Sequence, residues 1–156
     1  MPSDKSERIK VVATNRRARR NYSIVDVFEA GLVLVGSEVK SLRDGKMELK
    51  DSYGDIRRGE AWLVGAHISP YDFAHEGGHE PERERKLLLH RREIDRIAGQ
   101  TAEKGLTLVP LQVYFKDGKA KIEVALAKGK TTVDKRQSIR EREHAREMER
   151  ATRHHR

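Results

Sequence analysis

The 156-residue sequence contains no cysteine, only four prolines, few aromatic residues (5%) and no long apolar run. Without cysteine there are no disulfides or thiolate metal sites, which is typical of a reducing cytosol. No stretch approaches the roughly 18 apolar residues that span a membrane, and the start MPSDKSERIK lacks the apolar region of a signal peptide. We therefore expect a soluble, cytoplasmic protein with no membrane partner. Its core should be modest, because only 36% of the residues are hydrophobic.

Charged residues, by contrast, make up 37% of the chain, and their signs are unevenly distributed. The formal net charge is +8, to which residues 1–20 contribute +5, residues 21–127 contribute −2 and residues 128–156 contribute +5. A near-neutral body with two basic ends is typical of a protein whose partner carries many phosphates. Charge alone leaves open the alternative of two solubilising tails.

One short motif points to different chemistry. The segment HEGGHE, residues 75–80, fits the H-E-x-x-H pattern of zinc proteases, which brings two imidazoles together only on a helix. Two glycines lie inside the motif and Pro70 and Pro81 flank it, which predicts a loop. A third ligand cannot be located, although His67 and His90 are available. We interpret the segment as a solvated loop, and we expect no metal, no cofactor and no enzymatic activity.

The first half of the body is rich in strand patterns. Residues 22–39, YSIVDVFEAGLVLVGSEV, predict a long bent strand or hairpin, and a short helix follows that Ser37 can cap and Gly45 can end. Residues 51–68, DSYGDIRRGEAWLVGAHI, predict two strands that turn near Arg58-Gly59. These elements are typical of a small antiparallel sheet.

The second half contains the clearest helix and a hairpin. The segment LHRREIDRIAGQTAEKG predicts a helix with His90 as its N-cap. Glu93 can close a capping box with His90, and Gly105 ends the helix. The hairpin that follows has Asp117-Gly118 at its turn. Its second strand alternates in period 2, with one side facing the core: Ile122, Val124 and Leu126.

Together these patterns predict a mainly β fold. Five or six short strands and one solid helix favour an OB-fold-like small barrel with two or three short helices, the commonest small barrel that binds nucleic acid. Aromatic residues are too few for a platform that stacks several bases, so structured RNA is the better fit. We expect the tyrosines to be core or rim residues: Tyr22, Tyr53, Tyr71 and Tyr114.

The end of the chain has a different composition. After Val133 too few apolar residues remain to bury a face, yet Glu, Arg, Gln, Met and Ala are good helix formers and Asp134 with Gln137 gives a capping signature. We expect this basic tail to be disordered when free and helical on a phosphate-rich partner, the alternative being permanent disorder. The predicted organisation is a flexible N-terminal segment (1–14), an OB-like RNA-binding barrel (15–130) and a basic C-terminal tail (131–156).

Five segments are spread over most of the chain, in this order: FEAGLVLVGSEVKSLRDGK (28–46), GEAWLVGAHISPY (59–71), RKLLLHRREID (85–95), KGLTLVPLQVYFKDGKAKIEVALAKGK (104–130) and DKR (134–136). In sequence and in order they resemble the SmpB family of bacterial SsrA-binding proteins, the partners of transfer-messenger RNA (tmRNA). The resemblance implies an OB-type barrel that binds the tRNA-like domain of tmRNA (SsrA RNA) and delivers it to the A site of stalled 70S ribosomes. It also implies that the ribosome, and not this protein, then makes the peptide bond, and that elongation factor Tu is an indirect partner through alanyl-tmRNA.

The resemblance also assigns residues. It implies an RNA-binding surface with Glu29 and Tyr22, to which Leu88 and Lys121 belong, while basic side chains flank it as phosphate clamps. The full set is Asn15, Arg16, Arg17, Arg19, Arg20, Tyr22, Glu29, Leu88, Lys121, Lys128 and Lys130. It further implies that the tail contacts small-subunit rRNA at the decoding centre and in the empty mRNA channel through Asp134, Lys135, Arg136, Arg140, Arg142, Arg146 and Met148.

Two positions depart from some members of the family. Val133 precedes the DKR sequence where an imidazole can occur, and His144 stands where Trp can occur, so stacking contacts at these positions are not carried over. The alternative function, which charge and barrel alone would favour, is a general basic RNA-binding or ribosome-associated structural protein. The two functions differ in RNA selectivity. A tmRNA-binding protein should prefer one tRNA-like RNA, whereas a general basic RNA-binding protein should bind any RNA sequence with an affinity limited by salt.

Overall fold

The computed structural model describes residues 8–70 and 78–130, which form nine strands and three helices. The strands are β1 (Ile9–Thr14), β2 (Tyr22–Leu32), β3 (Met47–Glu48), β4 (Tyr53–Arg57), β5 (Glu60–Val64), β6 (His67–Ile68), β7 (Arg85–Leu88), β8 (Thr107–Lys116) and β9 (Lys119–Gly129). The helices are α1 (Ala18–Asn21), α2 (Gly36–Arg43) and α3 (Arg91–Lys104). The tail and its seven predicted ribosome-contacting residues lie outside the described residues.

Six of the strands close into a barrel. The ladder runs β8–β4–β5–β7–β2–β9, and β9 pairs back onto β8, so the ring is complete and every pairing is antiparallel. β1 joins the edge of β8 that β4 leaves unpaired, and β3 forms a separate two-residue ladder with β6. The prediction of a mainly β, OB-like small barrel with short helices is confirmed.

The core lies inside the barrel. Ile122, Val124 and Leu126 of β9 are buried there, as their alternation predicts, and helices contribute Leu42 from α2 and Ile97 from α3. A second, small cluster lies outside the barrel, where α1 crosses β8 and β9. It consists of Ala18, Val109, Leu111, Ala125 and Ala127. No helix among the described residues is long and apolar enough to cross a membrane.

The predicted turns are confirmed by their backbone angles. Arg58-Gly59 joins β4 to β5 with φ of 51° and 75°, and Asp117-Gly118 joins β8 to β9 with φ of 50° and 81°. Two consecutive positive φ angles are typical of the two-residue turn whose twist matches a β hairpin. Gly105 ends α3 in the left-handed conformation, and the Glu93 carboxylate accepts a hydrogen bond from the His90 backbone N–H at 3.1 Å.

Two local predictions are wrong. Residues 9–14, assigned to a flexible segment, form β1, because the open edge of β8 supplies hydrogen-bond partners for this stretch. Ser37 is not the cap of α2, which begins after Val35; the Glu38 carboxylate accepts the Val35 N–H at 2.9 Å instead. The hydroxyl of Ser37 faces His79, 2.8 Å from Nδ1.

Both ring nitrogens of His79 are used within the protein. Nε2 lies 3.0 Å from the carbonyl oxygen of Ile68, which can only accept, so in the neutral ring Nε2 donates and Nδ1 accepts from Ser37. This second histidine of the H-E-x-x-H pattern therefore fixes the loop to α2 and β6. The first, His75, lies outside the described residues. Residues 8–70 and 78–130 contain no cluster of three or more side chains that could hold a metal.

A buried ion pair joins α2 to β7. Arg85 and Glu38 are both fully buried, with Nη2 of Arg85 2.6 Å from Oε2 of Glu38. Arg83 contributes a second contact of 2.6 Å to Oε1. Burial alone would raise the pKa of Glu38, but the hydrogen bonds from Arg83, the Val35 N–H and Arg85 outweigh it and hold the pKa below its ordinary value.

We expect Glu38→Gln to lower the free energy of unfolding at pH 7 by about 3 kcal/mol or more, because Arg85 loses its only buried counter-charge among the described residues. The matched control is Glu60→Gln, which removes a half-exposed pair with Lys86 (2.8 Å) and should cost less than about 1 kcal/mol. Urea denaturation measures both. Equal losses in the two variants would contradict the prediction.

The difference in free energy of unfolding between wild type and Glu38→Gln should depend on pH. Because the pKa of Glu38 is lowered in the folded state, its contribution is complete above the ordinary glutamate pKa, about 4.3, and is lost as the pH falls through the lower folded value. The difference between wild type and Glu38→Gln should therefore shrink below about pH 4. A difference that stays constant down to the acid transition would show that the carboxylate charge is not the cause.

Candidate RNA-binding face

A β-bulge determines which side chains of β2 share a surface. Ile24 pairs with Ala127, but Asp26 pairs with Leu126, so Val25 is an extra residue. Side chains alternate along a strand, and residues seven apart would normally lie on opposite faces. The bulge cancels this difference and places Tyr22 and Glu29 on the same outward side of the barrel. We call the outward side of β7, β2, β9 and β8 the outer face.

Three predicted RNA-binding residues lie together on the outer face. Gly31, two residues after Glu29, pairs with Lys121 on one side and with Leu88 on the other. A β-carbon at Gly31 would lie 3.2 Å from the β-carbon of Leu88, so the absence of a side chain allows Leu88 to lie over the strand. Leu88 is nevertheless 55% exposed. Glu29, Lys121 and Leu88 are thus neighbours across three strands, as the resemblance implies.

Two further side chains from β8 hold the carboxylate of Glu29. The Tyr114 hydroxyl donates to Oε2 at 2.5 Å, and the amino group of Lys116 lies 3.3 Å from Oε1. The Tyr114 hydrogen bond, aided by the charges of Lys116 and Lys121, holds the pKa of Glu29 below its ordinary value. The side chain of Glu29 remains 39% exposed. Glu29 is therefore an oriented carboxylate that can still accept hydrogen bonds from a ligand.

The basic cluster (Arg16, Arg17, Arg19 and Arg20) lies at the other end of the outer face. Within α1, Ala18 is buried against β8 and β9, while all four arginines are exposed. The Lys128–Lys130 segment lies beside them: Lys128 pairs with Ser23, and the Lys130 amino group donates to the Arg19 carbonyl at 3.2 Å. The cluster and this segment form one positively charged end.

Asn15 has a structural contact of its own. Its side-chain amide donates to the Pro110 carbonyl at 3.0 Å, and its backbone N–H donates to the Leu111 carbonyl at 2.8 Å. These bonds fasten the turn between β1 and α1 to β8. Asn15 thereby positions the start of the basic cluster.

Sequence reasoning missed Tyr114 and Lys116 as parts of this site, although one signal was present. A two-residue turn at Asp117-Gly118 fixes the register of the hairpin and places Tyr114 opposite Lys121. It also missed the turn at Lys50–Asp51, which lies beside the basic cluster around an open pocket. No pattern in the sequence indicates that contact, because the two segments are more than thirty residues apart.

Comparison with known proteins places the chain in a family. A sequence model of the SmpB protein family matches residues 12–154. The SsrA-binding protein of Desulforudis audaxviator is 58% identical over 92% of this chain and 94% of its own length, and that of Salinispora arenicola is 56% identical over 97% and 94%. A chain from a solved structure of tmRNA-SmpB and the bacterial ribosome matches with a TM-score of 0.64 and 46% identity, over 76% of this chain and 84% of that one. The chain belongs to the SmpB family.

Proposed function

We propose that this protein binds the tRNA-like domain of tmRNA through its outer face and delivers it to the A site of stalled ribosomes. The observation that carries the proposal is the continuity of that face, on which the oriented carboxylate of Glu29 and the basic cluster lie on one side of the barrel. The relatives named SsrA-binding proteins support the identity of the RNA. Such a role places the protein in the cytoplasm.

The two ends of the face have different chemistry and therefore different roles. The basic cluster with Lys128 and Lys130 offers charges to phosphates, which position an RNA without reading it. Glu29 would repel a phosphate, so it must accept hydrogen bonds from base or ribose groups or orient the neighbouring Lys116 and Lys121. Structured RNA presents both kinds of group, including the 2′-hydroxyl as a donor.

The tail completes the proposed mechanism. Residues Asp134 to Met148 enter the empty mRNA channel and decoding centre, where contact with small-subunit rRNA supplies the helix with a partner. Protein thereby takes the place of codon–anticodon pairing. Alanyl-tmRNA arrives with elongation factor Tu, and the ribosome carries out the peptide transfer.

We expect Glu29→Ala to weaken tmRNA binding about tenfold or more, because a hydrogen bond to a charged group contributes roughly 1.5–3 kcal/mol. The barrel should remain folded, since the side chain is exposed and fills no core position. Glu48→Ala, at an exposed glutamate of β3, is the control with the same change in charge. Unchanged affinity, measured by filter binding, would remove Glu29 from the RNA face.

We expect the double variant Arg19→Gln/Arg20→Gln to reduce the salt dependence of tmRNA binding. Each lost phosphate contact should lower the slope of log K against log salt by roughly 0.7 to 0.9. Arg91→Gln/Arg92→Gln removes the same charge from exposed positions of α3 and should leave the slope almost unchanged. If the α1 variant also keeps the wild-type slope, the basic cluster is only a solubilising arm.

We expect a chain that ends at Lys130 to bind tmRNA within about 1 kcal/mol of full length, because distant sites act nearly additively. It should fail to support tagging in a reconstituted system with ribosomes stalled at an mRNA 3′ end. Asp134→Ala/Arg136→Ala, and a proline at Arg142 that breaks the helix, should reproduce much of this loss.

The control for the tail is Glu149→Ala/Arg150→Ala, a charge-neutral pair outside the proposed contacts. Full tagging by the truncated chain would overturn the proposed role of the tail. A parallel loss of RNA binding and tagging would reduce the tail to another basic arm. Equal affinity of the wild type for tmRNA and bulk tRNA would favour the alternative, a general basic RNA-binding protein.

A further inference from the structure

An open pocket of about 290 Å³ lies beside the basic cluster, between the turn that follows β1 and the turn that precedes β4. Its lining includes Arg16, Arg17, Tyr22, Lys50, Asp51 and the buried Val109. The volume is at the lower end of the range for small-molecule pockets and suits a single nucleotide. Neither the family resemblance nor the phosphate-clamp role of the arginines accounts for an aspartate at this place.

The backbone of the turn at Asp51 is held in place by its neighbours. Asp51 has a left-handed backbone with φ of 61°. Its carbonyl oxygen would lie 3.1 Å from a β-carbon at Gly65, so only glycine fits there without displacement. The next residue, Ser52, donates to the Leu49 carbonyl through both its N–H (3.1 Å) and its hydroxyl (2.6 Å). The carboxylate of Asp51 is exposed on a turn fixed from both sides.

The charges around Asp51 are not neutralised by one another. Within the part of the chain that the structure describes, Asp51 makes no ion pair with Arg16, Arg17 or Lys50, and these cations pair with no other carboxylate. Three cations indicate a phosphate, yet a carboxylate among them repels one. An acceptor-only group in such a place needs a ligand that also has N–H donors.

We propose that this pocket takes one unstacked guanine nucleotide of the bound RNA. Guanine is the base whose Watson–Crick edge has two adjacent donors, N1–H and the N2 amino group, which match the two oxygens of a carboxylate. Adenine, cytosine and uracil each place an acceptor beside their donor. The Asp51 carboxylate accepts hydrogen bonds from this edge of the base, and the three cations bind the nucleotide's phosphate. Tyr22 and Val109 contribute apolar surface to the pocket wall.

The inference rests on the proposed function, because it assumes that the RNA lies on the outer face. It adds a specific reading of one base to contacts that otherwise recognise phosphate and shape. Asp51 would be a residue that selects the RNA, and the basic cluster a set of residues that attract it.

The test is Asp51→Asn in the full chain. Asparagine tolerates the left-handed backbone, so the turn is kept while one acceptor becomes a donor. We expect about a tenfold loss of tmRNA affinity, with an unchanged salt slope because no phosphate contact is lost. Asp51→Gly, which relieves the backbone and removes the carboxylate, should show the same loss.

The matched control is Asp117→Asn. Asp117 is also an exposed aspartate with a positive φ, at the tip of the β8–β9 hairpin, and its substitution changes the net charge equally. Chemical probing with kethoxal, which attacks N1 and N2 of unpaired guanine, adds an independent readout. Wild type and Asp117→Asn should protect one unpaired guanine of tmRNA that Asp51→Asn leaves reactive.

The outcomes separate the two proposals. If wild type does not select tmRNA over bulk tRNA, the proposed function itself fails. If wild type selects tmRNA but Asp51→Asn binds as tightly as Asp117→Asn, or no guanine is protected, the pocket assignment is overturned while the function stands. A loss of affinity with a reduced salt slope would also overturn it, because Asp51 would then act through the phosphate contacts.

Discussion

The buried pair of Glu38 and Arg85 is the contact on which the barrel's arrangement depends most. Arg85 donates to Glu38 and also to the carbonyl oxygens of Ala66, Glu80 and Pro81, so one guanidinium joins α2, the turn between β5 and β6, the loop before β7 and β7 itself. Glu38 and Ala66 lie 47 and 19 residues from Arg85 in sequence. The strand that places Leu88 on the outer face begins at the same arginine, which links the buried pair to the position of the site.

Local chemistry was sufficient to predict much of the fold. Turns such as Arg58-Gly59 and Asp117-Gly118 depend on a few adjacent residues, and the stop at Gly105 depends on one. The errors arose where a distant segment decides the outcome. Ser37 is a good cap by composition, but Glu38 takes that role because Arg83 and Arg85 hold its carboxylate beside the start of α2. β1 likewise exists because β8 offers it an edge.

The residues of the RNA-binding face also divide into those that adjacent sequence predicts and those that depend on a distant segment. Counting back from a two-residue turn places Tyr114 beside Lys121, so this pair was predictable from the hairpin alone. The bond between Tyr114 and Glu29 was not, since it requires the register of β2 against β9. The pocket around Asp51 depends on tertiary packing between two turns and has no counterpart in any sequence pattern. The resemblance supplied Glu29, Leu88 and Lys121, which composition and periodicity do not distinguish from other surface residues.

The bulge at Val25 makes the length of β2 as important as its composition. A substitution at this position changes one exposed side chain, whereas a deletion restores the regular alternation and rotates everything on one side of it to the opposite surface. Either Tyr22 or Glu29 would then face the interior. Natural or designed variants can therefore replace the exposed side chain at position 25 but cannot change the number of residues in the strand, and insertions belong in the loops.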